Sequence, residues 1–160
     1  MTLPQPRPIL PGATIGILGG GQLGRMTAMA ARTLGYQVEA LDPDPDCAAR
    51  FVVDQCHTAS FSDAAAASVL AKGCDVVTLE IEKIALVSLD AAAHYAPVRP
   101  GSAVLAVIQD RGRQKSWLEG HGFPVGPWRS RRPAPPRGGR SHAGWAPESR
   151  PTLGSAPRGG

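Results

Sequence analysis

Gly19, Gly21 and Gly24, in the stretch GILGGGQLGR at residues 16–25, have the G-x-G-x-x-G spacing of a dinucleotide-binding turn. Glycine lets the backbone approach a phosphate closely. A helix opening behind the turn adds unpaired N–H groups and roughly half a positive charge. Gln22 sets a polar amide in the first turn of that helix, where it can touch a ligand. Asp42 follows Gly24 by 18 residues, near where an acid that hydrogen-bonds a ribose is expected. Glu80 and Glu82 are two apart, which on a strand puts both on one side. A carboxylate there can accept hydrogen bonds from a sugar or an amine. Asp110, Arg111, Arg113 and Lys115 fall within two turns of a helix, and Arg111 and Lys115 share a face that could meet an anion. Each feature also has a plain structural reading. The turn can simply pack helix on strand, the acids can be loop residues with Glu82 or Glu80 paired to Lys83, and the cations can be a solvated face.

The remaining reactive types show no such organisation. His57, His94, His121 and His142 are scattered without metal-ligand spacing. Cys47, Cys56 and Cys74 contain no C-x-x-C and suit neither a disulfide framework nor a zinc site, so reduced thiols are expected.

The elements that must position these residues alternate in type. ATIGILG (13–19) reads as a buried parallel strand. The helix after it carries apolar residues at Leu23, Met26, Ala30 and Leu34 and ends at Gly35. Strands are expected over 37–42, 55–60 and 75–82, and helices over 62–73, with Ser62 or Asp63 as cap, and 87–94. A helix over 102–122, capped by Ser102, has a potential break near Asp110, and 123–128 begins another extended segment. Such alternation predicts an α/β fold with a parallel sheet and helices on both faces, its ligands beyond the carboxyl ends of the strands. Gly19–Gly24, Asp42 and Glu80–Glu82 all fall at such ends and are expected to converge.

Charge divides the chain near Trp128. Residues 1–128 carry 10 Lys+Arg against 12 Asp+Glu, whereas residues 129–160 carry 7 Arg against Glu148 alone. The net charge of +4 therefore comes from the tail and says nothing of the folded part. That tail is rich in Arg, Pro, Gly, Ser and Ala, lacks periodicity, and is expected to be disordered. Residues 1–12 are Pro-rich and read as a flexible lead-in. The N-terminus has prolines where a signal peptide needs an apolar core, and no apolar run reaches the ~20 residues of a membrane span. A cytoplasmic protein with no membrane partner is expected.

Taken together, IGILGGGQLGRM, LDPDPD, VTLEIEKI, PVRPG and IQDRGRQKSWLEGHGFPVGPW resemble, in order and from about Thr14 to Trp128, one family. It is the N5-carboxyaminoimidazole ribonucleotide synthases, the ATPase subunit of phosphoribosylaminoimidazole carboxylase, and the likeness is to their N-terminal part. The resemblance implies a Rossmann-like preATP-grasp domain over 13–128, with an ATP-grasp region starting near 123–128. It implies an ATP-dependent carbon–nitrogen ligase of de novo purine synthesis. ATP and bicarbonate form carboxyphosphate, whose carboxyl group passes to the exocyclic amine of 5-aminoimidazole ribonucleotide, with Mg2+ accompanying the ATP. Gly20, Gly21, Gln22, Leu23 and Glu80 would help form the aminoimidazole ribonucleotide pocket. Arg111 would contact the ATP, a role that suits a bidentate cation near a polyphosphate. The resemblance carries over no catalytic or metal-ligating residue, and it implies a homodimer for the full-length family.

Two departures stand out. Gly112 replaces a residue that is commonly leucine in the family, and glycine inside a helix costs ~1 kcal/mol. After Trp128 the family continues with a glycine-rich lid, lysines, Mg2+-binding acids and a further domain, while this sequence turns to residues of GC-rich codons. A frameshifted reading is expected there, leaving a truncated chain with little or no synthase activity, because phosphoryl transfer needs those lysines and metal ligands. A natural linker or regulatory tail is the rival. Two other readings differ in class: an NAD(P)-dependent oxidoreductase domain using Gly19, Gly21, Gly24 and Asp42, and an RNA-binding protein acting through the Arg-Gly tail and Trp145. A nucleic-acid partner is not expected.

Overall fold

A computed structural model describes residues 8–128. The segment expected to be a disordered tail, 129–160, lies outside the described residues, as do residues 1–7 of the lead-in. The short apolar runs of the sequence pair into one parallel sheet because helical crossovers return the chain in the same direction each time. Strands β1 (Thr14–Leu18), β2 (Gln37–Asp42), β3 (Gln55–Thr58), β4 (Val76–Leu79) and β5 (Val98–Arg99) lie in the order β3-β2-β1-β4-β5. Leu18 is level with Leu41 on one side and Leu79 on the other, so three strands end together.

Helices α1 (Gln22–Thr33), α2 (Ala64–Lys72), α3 (Leu86–Ala92), α4 (Ser102–Ile108) and α5 (Arg111–Gly120) follow the strands. Two cores result. The smaller joins Ile17 and Val38 to Ala28 and Ala31 of α1. The larger joins Leu18, Leu41 and Val77 to Leu70, Leu89 and Leu105.

The structure moves several boundaries. The strand expected over 75–82 stops at Leu79, so Glu80 and Glu82 sit in the following loop and strand alternation does not govern them. Asp63, not Ser62, caps α2, its side chain accepting from the Ala66 N–H. The helix expected over 102–122 is two helices, since Asp110 leaves helical geometry and its carboxylate caps α5 by accepting from the Arg113 N–H at 2.8 Å. Gly101 rather than Ser102 is the cap position of α4. Gly112 is accommodated inside α5. The two-residue β5 and a 3-10 turn at Ala48–Phe51 were not legible as elements, and residues 123–128 form no strand.

The apolar stripe of α1 also faces the unexpected way. Leu23, Met26 and Leu34 are each more than 60% exposed, and the buried residues are Gly24, Ala28 and Ala31. Small side chains line the inner face because the helix starts almost against the end of β1. Residues 8–12 are held to the domain: the Tyr36 hydroxyl donates to the Ile9 carbonyl, and the Gly12 N–H donates to the Gly35 carbonyl.

Candidate functional site

The turn from β1 into α1 lies where the sheet changes direction, with β2 on one side of β1 and β4 on the other. Crevices of parallel sheets form at such a point. Asp42 at the end of β2 and Glu80 just past β4 flank the turn, and each holds one of its amides. The Gly20 N–H donates to Asp42 Oδ2 at 2.7 Å, and the Gly21 N–H donates to Glu80 Oε1 at 3.2 Å. The Gly19 N–H continues the ladder to the Leu41 carbonyl, and the Glu80 N–H does the same to Leu18.

Three glycines here have steric reasons. Gly19 has φ +110°, and a Cβ on it would lie 2.7 Å from Glu80 Cγ. At Gly24 a Cβ would meet the Gly19 carbonyl oxygen at 2.3 Å, so only glycine lets α1 begin this close to β1. At Gly20 it would strike Cys47 Sγ at 2.5 Å.

Among the described residues no side chain caps α1. The N–H groups of Gln22, Leu23 and Gly24 therefore stand at the positive end of the helix for a ligand or water to use. The Gln22 and Leu23 side chains are exposed and Glu80 is half-buried. Glu80 Oε2 has no hydrogen bond among the described residues. The arrangement offers a carboxylate acceptor beside a set of N–H donors, which suits a ligand carrying both hydroxyl or amine groups and an anionic group.

Asp42 is committed elsewhere. It is 9% exposed; Oδ2 holds Gly20 and Oδ1 accepts from the Asp44 N–H at 2.9 Å. The Ala48–Phe51 turn closes over it, with the Ala49 N–H donating to the Gly20 carbonyl. An acid that must hydrogen-bond a cofactor ribose needs a free carboxylate edge, so the dinucleotide reading loses its ribose acceptor.

Gly20, Gly21, Gln22, Leu23 and Glu80 are thus together. Arg111 is elsewhere, exposed at the start of α5, where its guanidinium donates to Gln114 Oε1 at 3.0 Å. Glu82 and Lys83 are exposed and make no ion pair among the described residues. One residue missed in the sequence joins the two regions. Gln109 Nε2 donates to the carbonyls of Glu82 and Ile84, both at 2.8 Å, tying the α4–α5 junction to the loop that carries Glu80. In Q-D-R, then, Gln109 tethers, Asp110 caps and Arg111 is left to the surface. The signal was the motif itself, but a tether to backbone carbonyls leaves no trace in the sequence.

Among the described residues, no group of three or more His, Cys, Asp or Glu side chains could hold a metal ion, so they supply no metal cage of their own. No helix among them is long and apolar enough to cross a membrane.

Comparison with known proteins converges. The family of the ribonucleotide synthetase preATP-grasp domain matches residues 12–109. The chain is similar to N5-carboxyaminoimidazole ribonucleotide synthase of Brucella melitensis, 43% identical over 119 residues, which is 74% of this chain and 33% of that protein. It is similar to the crystal structure of N5-carboxyaminoimidazole synthetase from Staphylococcus aureus complexed with ADP: TM-score 0.69, 39% identity, 74% of this chain and 32% of that one. It is also similar to N5-carboxyaminoimidazole synthase from Aspergillus clavatus in complex with ADP and 5-aminoimidazole ribonucleotide. There the TM-score is 0.63 and the identity 35%, over 71% of this chain and 30% of that one. The chain spans about a third of the length of the relatives it matches.

Proposed function

Because the chain belongs to the ribonucleotide synthetase preATP-grasp family, we propose that its glycine turn and Glu80 bind 5-aminoimidazole ribonucleotide for ATP-dependent carboxylation by bicarbonate. The observation that carries this reading is the Glu80 carboxylate set 3.2 Å from the Gly21 N–H, with one oxygen still available at the carboxyl edge of the sheet. That oxygen accepts from the sugar hydroxyls or the amine of the ribonucleotide. The N–H groups of Gln22 and Leu23 and the Gln22 amide offer donors to its polar groups. The relative solved with 5-aminoimidazole ribonucleotide supports this ligand over a nicotinamide dinucleotide.

In the proposed reaction, bicarbonate attacks the γ-phosphorus of ATP and expels ADP. The ribonucleotide amine then takes the carboxyl group, with loss of a proton and of phosphate. Arg111 is proposed to meet the ATP polyphosphate, which its exposed guanidinium leaves it free to do as a bidentate donor. No step is assigned to Mg2+, since the described residues supply no metal cage of their own. Homodimer formation belongs to the proposal for the full-length family. The role tested in this chain is binding. Calorimetric titration of 5-aminoimidazole ribonucleotide into the full chain is expected to show one saturable site, weakened about tenfold or more by Glu80→Gln, the loss of a charge-assisted hydrogen bond. Equal affinity of the variant, or no saturation, would overturn the reading.

A further inference from the structure

We infer that Cys47 and Cys56 form a reversible dithiol–disulfide site that clasps the segment covering the glycine turn. Their sulfurs are 3.7 Å apart, in contact but unbonded, and both thiols are free. Cys56 lies on β3 opposite Ala40 of β2, so it is anchored in the sheet. Cys47 is buried and opens the Ala48–Phe51 turn. An S–S bond of ~2.05 Å asks the sulfurs to close by about 1.7 Å, within the reach of side-chain rotation and a small loop shift.

The position gives the pair its consequence. Cys47 Sγ fills the space beside Gly20, where an added Cβ would come within 2.5 Å of it. The next turn of chain reaches the same glycine through the Ala49 N–H, 2.8 Å from the Gly20 carbonyl. A bond from Cys47 to Cys56 closes a ring around the Ala48–Phe51 turn and ties it to β3. Local opening of the segment over the glycine turn is then suppressed, because the linked chain has fewer open states to reach. The inference stands on this geometry and does not require any particular ligand at the turn.

The oxidant is a small-molecule disulfide of the glutathione class. The thiolate of Cys56, the more exposed of the two, attacks one of its sulfurs; a mixed disulfide forms and one small thiolate leaves. Deprotonated Cys47 then attacks Cys56 Sγ, forming the internal bond and releasing the second small thiolate. The protein thiols give up two electrons and two protons, and the oxidant becomes two thiols. Burial, with the hydrogen bond to Cys47, pushes the Cys56 thiol up to about 11, so the thiolate is scarce at neutral pH and the reaction is slow. Burial pushes the Cys74 thiol up to about 12, and no described contact joins it to either sulfur, which makes it an internal control.

The test uses the full chain incubated with glutathione disulfide. Peptide mass spectrometry then maps the linkage, and amide hydrogen exchange follows Gly20, Gly21 and Ala49. The expected result is one Cys47–Cys56 bond with Cys74 still reduced, exchange at Ala49 slowed about tenfold or more, and full reversal by a dithiol reductant. Cys56→Ser is expected to abolish both effects, and Cys74→Ser to keep both. A mixed disulfide that persists at Cys56, no oxidation at all, or a Cys47–Cys56 bond that leaves Ala49 exchange unchanged would each overturn the inference.

Discussion

The two ends of the described chain are built differently. At the glycine turn, the bonds come from residues far apart in sequence, Asp42 holding Gly20 and Glu80 holding Gly21, and within the turn the Gly19 carbonyl lies where any side chain on Gly24 would have to go. At α4 and α5, the bonds that shape the chain are mostly local. Asp110 caps its own helix and Arg111 reaches only to Gln114. No residue of α5 is buried, Trp117 is stacked on His121 just past the helix's own end, and an apolar groove of about 360 Å3 lies between the helices, lined by Val104, Val107, Trp117 and Leu118. Backbone surrounded by distant partners tolerates little change, whereas a helix held by its caps tolerates much. Long-range convergence marks the end of this domain that carries the glycine turn.

The sharpest way to break this contrast is to add one methyl group at each end. Gly24→Ala forces a carbon into the Gly19 carbonyl oxygen and is expected to destabilise by about 3 kcal/mol or more, read from urea denaturation. Gly120→Ala, in α5 with nothing within 4 Å, is expected to be neutral or to stabilise by about half a kcal/mol. Comparable losses at both positions would erase the distinction.

Asp42→Ala comes next. It strands the buried Gly20 N–H and is expected to cost about 2 kcal/mol and to accelerate exchange at Gly20. A smaller effect is expected at the amino end of the sheet, where Asp54 pairs with Arg32 and accepts from the Val38 N–H. The Arg32 hydrogen bond, then the Val38 N–H, hold the Asp54 carboxyl below the ordinary 3.8. A depressed carboxylate contributes stability above its unfolded pKa, and that stability is lost as pH falls below about 3.8 through the folded value. The pair is largely exposed, so Asp54→Asn is expected to remove about half a kcal/mol or less and to flatten that acid limb of the denaturation profile.

How much of this could be read in advance follows the same division. The glycine turn, the strand before it and the helix behind it were legible because spacing and local periodicity encode them within a dozen residues. The convergence of Gly19–Gly24 with Asp42 and Glu80 followed from the alternation of strands and helices, and the selection of Gly20, Gly21, Gln22, Leu23 and Glu80 as one pocket came from the family resemblance. Its physical basis, the bond from Gly21 to Glu80, spans 59 residues and depends on β1 pairing with β4, which no spacing reveals. Asp42 was legible as an acid at a strand end but not as one turned inward, because its partners are backbone N–H groups. Leu23, Met26 and Leu34 show the helical period of α1, yet the glycine turn brings that helix so close that only small residues fit inside. Val98–Arg99 is too short a strand to leave a pattern.

The most direct test of the central claim is a backbone amide map of the full chain as 5-aminoimidazole ribonucleotide is added. Saturable shifts are expected at Gly20, Gly21, Gln22, Leu23 and Glu80, with the amides of α5 from Arg111 to Gly120 unmoved. Shifts confined to the α4–α5 groove, with the glycine turn silent, would contradict it.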